Sequence, residues 1–206
     1  FALLLAISMP VYAQDTNSAE PEPAPEDAAQ EESTPISDLS LGEEVDNPLE
    51  PGKPYVSETV GAWELRCVKV DEGADPCQMY QLLSEEQKSI GQEENAVAEF
   101  SMFRLPEGQQ AVAGATVIVP LKTSLQAQLT ISVDGEKGKR YPYSFCTSIG
   151  CYARIGLTEQ DIEAFKRGQW AALTIIPAEA PDQKVTAWLS LEGFTASYDL
   201  VSVFER

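Results

Sequence analysis

A chain of 206 residues with a 43% hydrophobic fraction can bury one ordinary core, and 33 acidic against 14 basic residues give it a formal charge of −19. That balance argues against nucleic acid as a partner, because phosphate binding needs clustered Lys and Arg. The charge is uneven, since Asp15–Glu50 holds twelve Asp or Glu and no Lys or Arg, and the remaining 21 acids leave only −7 elsewhere.

The first segment, Phe1–Ala13, reads as the apolar core of a signal peptide, with Val11 and Ala13 at the small-residue positions before a polar stretch. Cleavage is expected after Ala13. The alternative is an uncleaved anchor, but the visible apolar run is shorter than the roughly 20 residues a span needs. Residues 14–54 are rich in Pro, Glu, Ala and Ser and contain no aromatic residue. Such a segment cannot bury enough surface to offset its ordering entropy, so a disordered acidic linker is expected. It reads as a solvated spacer; an electrostatic bait for a basic partner is the sharper alternative.

Residues 55–206 form the predicted domain. Trp63, Leu65 and Cys67 alternate with Glu64 and Arg66, and Leu129, Ile131 and Val133 alternate with Thr130 and Ser132 before an Asp134-Gly135 turn. Further strands are expected at 78–83, 96–104, 115–119, 140–146, 170–176, 185–191 and 195–201. One helix is expected where Thr158 and Asp161 form a capping box, Ile162 and Phe165 share a face, and Gly168 follows Lys166 and Arg167. The prediction is an all-β, antiparallel β-sandwich or flattened barrel of about nine strands with one short helix.

Four cysteines, Cys67, Cys77, Cys146 and Cys151, all fall in this domain. An even count in an exported chain favours disulfides, and of three possible pairings the local one is expected, Cys67–Cys77 with Cys146–Cys151. A turn through Asp71–Pro76 brings the first pair together, and Ser148 and Gly150 suit a tight loop in the second. Each bridge contributes about 2–3 kcal/mol in the chain-entropy account. A four-thiolate zinc site does not fit the Cys67 and Cys77 spacing, and a redox dithiol does not fit the four residues between Cys146 and Cys151. No metal and no cofactor are expected.

No histidine is present, so Ser-His-Asp and Cys-His catalysis and His-ligated metals are excluded. Nucleophile-elbow, phosphate-loop and dinucleotide motifs are also missing. A carboxylate pair is the one catalytic arrangement left open, and the acids read better as solvated surface charge. Aromatic residues surround the second cysteine loop: Tyr141, Tyr143 and Phe145, expected on one strand face, with Tyr152 and Arg154 beyond it. Core packing is the plain reading of such alternation. The functional reading is a binding patch of Tyr141, Tyr143, Tyr152 and Arg154, since Tyr and Arg anchor interfaces.

Trp63-x3-Cys67, Cys77-Gln-Met-Tyr-Gln81, Val119-Pro-Leu121, Cys146-x3-Gly150-Cys151-x-Ala153, Gly168 and Ser190-Leu-Glu-Gly-Phe194 occur in that order. This pattern resembles the invasion-associated locus B family of exported bacterial proteins, from about Tyr55 to the C-terminus. The resemblance implies a β-rich periplasmic or surface-associated protein linked to host-cell entry, and it brings no catalytic residues. The expectation is an exported, non-enzymatic envelope protein, periplasmic or secreted or associated with the outer surface. It would bind a protein or glycan partner of the envelope or the host surface, with no nucleic acid and no membrane span after processing. The alternative is a structural or stress-related periplasmic factor without a dedicated ligand; an enzyme using carboxylates alone is a third.

Overall fold

The computed structural model describes residues 49–204, so the predicted leader with its cleavage after Ala13 and most of the predicted linker lie outside the described residues. The backbone is tied into the domain ahead of the predicted boundary at Tyr55. The Gly52 amide donates to Lys69 O at 2.8 Å, and β1 (Pro54–Val60) already starts at Pro54. This strand was not expected, because its mostly exposed side chains leave no apolar alternation to read.

After it come β2 (Trp63–Val68), β3 (Cys77–Ser84), β4 (Ala96–Arg104), β5 (Ala113–Val119), β6 (Leu129–Val133), β7 (Lys139–Tyr141), β8 (Phe145–Cys146) and β9 (Cys151–Leu157). Helix α1 (Glu159–Arg167), β10 (Trp170–Ile175), β11 (Val185–Ser190) and α2 (Phe194–Leu200) complete the domain. All eleven strands belong to one antiparallel sheet, curled into a half-barrel, ordered β7-β6-β10-β11-β3-β4-β5-β9-β8, with β2 also on β3 and β1 on β2. Of the two expected architectures this is nearer the flattened barrel, since one curled sheet forms and not two stacked ones.

Period-2 patterning explains the layers. Trp63 and Leu65, Met79 and Leu83, Phe100 and Met102, Val117 and Val119, Ala153 and Ile155, and Leu173 and Leu189 are buried on the concave side. At its centre Trp63 packs edge-on against Phe100 and Phe194, with ring centroids 5.9 and 5.7 Å apart, and Phe165 from α1 meets Phe194 at 5.4 Å. Helix α1 starts as expected: the Asp161 carboxylate accepts from the Thr158 amide at 2.9 Å, and the Thr158 hydroxyl accepts from the Asp161 amide. Gly168 follows α1 as expected, and close packing is what calls for glycine there. Its φ is −76°, and a Cβ there would sit 2.5 Å from Val133 Cγ1.

Two expectations are corrected. Residues 195–201, read as a strand, belong mostly to α2. Phe194, Ser197, Tyr198 and Val201 are the buried positions, a spacing of three and four that only a helix places on one side. Residues 140–146 form no continuous strand. Proline 142 offers no amide, so the ladder from β6 stops at Tyr141, and β8 begins only at Phe145.

Candidate functional site

The second cysteine pair closes the β8–β9 hairpin. Cys146 and Cys151 stand directly opposite each other and are bridged, as are Cys67 and Cys77 across β2 and β3. The four-residue loop is held by the Thr147 amide donating to Gly150 O at 2.9 Å. Gly150 lies so close to β5 that a Cβ would come within 2.4 Å of Val119 O. At the apex Ile149 is 70% exposed.

Side chains alternate along β9, so Cys151, Ala153 and Ile155 point into the core while Tyr152 and Arg154 face outward. Phe145 pairs with Tyr152, and the rings stack at 4.7 Å with planes 17° apart. The Arg154 guanidinium lies 5.6 Å from the Phe145 ring centre. A hollow of about 220 Å³ lies alongside, lined by Val97, Ile118, Pro120 and Ile149, where Ile118 is the cross-strand neighbour of Tyr152. The same outer face continues to β3, where the Arg66 guanidinium covers the Tyr80 ring at 3.2 Å and the Tyr80 hydroxyl donates to Glu99. Burial, then the Glu99 hydrogen bond, pushes the Tyr80 hydroxyl up to about 12.

The four predicted binding residues therefore separate into two pairs. Tyr152 and Arg154 come together with Phe145 in an exposed cluster. Tyr141 and Tyr143 instead pack against the core, Tyr141 opposite buried Leu129. The break at Pro142 shifts the phase of alternation, which is why Phe145 faces outward while Tyr143 turns in. Burial pushes both hydroxyls up to about 12, with the Asp161 charge adding to the effect at Tyr141. The Tyr143 hydroxyl is buried with no hydrogen-bond partner among the described residues. A buried donor without a partner costs about 1–3 kcal/mol. Tyr143→Phe is therefore expected to raise stability by about 1 kcal/mol in a denaturant melt, whereas loss of stability would assign that hydroxyl a partner.

Two carboxylates have shifted protonation, both held below the ordinary value by hydrogen bonds. At Asp161 burial pushes the carboxyl up, but hydrogen bonds from Lys139 and Thr158 outweigh it and hold it below its ordinary value. At Asp75 the Tyr55 hydroxyl, 2.7 Å away, and the Val70 amide hold the carboxyl low. Among the described residues no group of three or more His, Cys, Asp or Glu could hold a metal ion. Among them, too, no helix is long and apolar enough to cross a membrane.

A family profile described as "Invasion associated locus B (IalB) protein" matches residues 63–202. No curated protein sequence matches the chain. Among solved structures, the crystal structure of invasion associated protein B from Bartonella henselae is similar, with a TM-score of 0.57 and 22% identity. That match covers 69% of this chain and 92% of the other, and it speaks for the shared fold. The profile match runs from the first residue of β2 to just past α2, and so takes in every strand except β1, both disulfides and the exposed cluster: the chain belongs to the invasion associated locus B family.

Proposed function

We propose that this protein is exported and non-catalytic, and that it binds a protein or glycan partner of the bacterial envelope or the host surface through the outer face of β8 and β9. The observation that carries this reading is the stacked Phe145–Tyr152 pair with Arg154 beside it, on a hairpin fixed by a disulfide. Aromatic and Arg side chains held in one geometry lose little entropy on binding, which suits them as anchors. Phe145 is 43% exposed and Ile149 is 70% exposed, so this one hairpin presents two large apolar side chains to its surroundings. Two disulfides suit an oxidising compartment outside the cytoplasm.

The test is crosslinking and capture from intact envelopes and host-cell surfaces, comparing wild type with Tyr152→Ala. Tyr152→Ala is expected to weaken association by about 1–2 kcal/mol with little change in melting temperature. Equal capture by both proteins would remove this face from recognition. It would favour a structural or stress-related periplasmic factor instead.

A further inference from the structure

A second surface lies on the outer face of the sheet's other half, where β7, β6, β10 and β11 run side by side. Their outward positions form a row: Arg140 opposes Thr130, Thr130 opposes Thr174, and Thr174 opposes Thr186. A cleft of about 500 Å³ opens on this face, lined by Gln126, Gln128, Thr130, Arg140, Thr174 and Lys184 among others. Among residues 49–204, which hold 21 acidic against 13 basic residues, no Asp or Glu lines it. Among the described residues seven of the thirteen cations are in ion pairs with carboxylates, and Arg140 and Lys184 are not. An acidic domain has here cleared its carboxylates from one polar cleft and left two cations in it.

We infer that this cleft binds an acidic polysaccharide, one bearing uronic-acid carboxylates. The two cations do not converge on one point. Arg140 lies on β7 and Lys184 just ahead of β11, three strand intervals away, roughly 14 Å at the spacing of paired strands. Between them the lining is mainly amide and hydroxyl, with Ala127 and Ile176 as its apolar side chains. A small anion would be met by only one of the cations. A polymer whose charges are separated by hydroxyl-rich rings meets both, with Gln and Thr serving the rings in between. Two isolated cations also suit one carboxylate per sugar better than dense sulfation. Two features fit a site shaped for a ligand. Gln128 holds a positive φ of 60°, a backbone conformation that non-glycine residues adopt at a cost. Beyond the Thr row Trp170 and Trp188 meet edge-on at 6.4 Å on the same outward side, an apolar continuation on which sugar rings can stack.

This site is separate from the β8–β9 cluster, and one experiment keeps the two apart. Binding of the full chain to soluble polygalacturonate would be measured against uncharged dextran and against dextran sulfate, at low and high salt. Wild type is expected to bind polygalacturonate in a salt-sensitive way, to ignore dextran, and to prefer the carboxylated polymer to the sulfated one. Arg140→Ala with Lys184→Ala should weaken that binding by about tenfold or more, and Tyr152→Ala should leave it unchanged. Both cations are exposed, so the melting temperature should hold, and the single Lys184→Glu, outside any strand, repeats the test if the double variant folds poorly. Failure of wild type to bind polygalacturonate, equal binding of dextran, a preference for dextran sulfate, or unchanged binding by the cation variants would each overturn the assignment.

Discussion

Gln81→Ala is expected to lower unfolding free energy by about 3–5 kcal/mol. The reason lies in how the sheet divides. One edge of β3 serves two partners: Cys77–Tyr80 pairs with β2, and Ser84 pairs with β11. Between those stretches the backbones of β2 and β11 have diverged, and Gln81 fills the gap from inside the core, where it is only 2% exposed. Its Nε2 donates to Ala62 O at 3.0 Å and Ser190 O at 3.1 Å, and its Oε1 accepts from the Ser190 amide at 2.7 Å. Truncation would remove the partner of two buried Ser190 backbone groups and of the part-buried Ala62 carbonyl, and open a cavity. Gln81→Met separates the two costs, because it restores volume but none of the hydrogen bonds. The Met variant should recover only the smaller part of the loss, and amide exchange at Ser190 should accelerate in both. A Met variant as stable as wild type would show that packing, and not the amide, holds the branch point.

That result bears on what the sequence pattern means. Cys77-Gln-Met-Tyr-Gln81 marks the family at the level of sequence, yet its last residue stitches strands and touches no ligand surface. The other marks behave alike. Gly150 lets the hairpin loop approach Val119 O, Ala153 is fully buried, and Gly193, at φ 78°, would place a Cβ 2.5 Å from Val60 O. Local chemistry was legible where one residue type has one job: the capping box at Thr158 and Asp161, the Asp134-Gly135 turn with both φ positive, and the alternation in β2 and β6. It was ambiguous where short runs satisfy two periods. Residues 194–201 carry Thr, Tyr and Val, which favour strands, but their burial follows a helical stripe. Half of the candidate site was readable for the same kind of reason. Tyr152 and Arg154 sit two apart on an uninterrupted strand, whereas Tyr141 and Tyr143 precede and follow a proline that resets the ladder. Gln126, Gln128, Arg140, Thr174 and Lys184 are scattered across four stretches of chain, and only strand order brings them to one face.

Removing either disulfide as a Cys→Ala pair is expected to cost similar stability and to have different functional consequences. The bridges close short loops, with sequence separations of 10 and 5, so the chain-entropy account gives each about 2–3 kcal/mol. For a domain of this size that is roughly a 5–10 °C fall in melting temperature. Their settings differ. Cys67 is 1% exposed beside the Trp63 and Leu65 core, so Cys67→Ala with Cys77→Ala should loosen the β2–β3 pairing on which the branch at Gln81 depends. Cys146 belongs to a two-residue strand at the end of the sheet path, held by little besides its partner β9 and the bridge. Cys146→Ala with Cys151→Ala should therefore free residues 142–150 locally, unstack Phe145 from Tyr152, and speed amide exchange at Thr147 while the core stays protected. Partner capture should drop in this variant as far as in Tyr152→Ala, and be kept below its melting temperature by the Cys67 and Cys77 variant. Capture that survives loss of the Cys146–Cys151 bridge would show that the hairpin needs no covalent clamp to present its rings. Capture lost equally in both variants would trace binding to the stability of the whole domain, and the outer face of β8 and β9 would lose its special place.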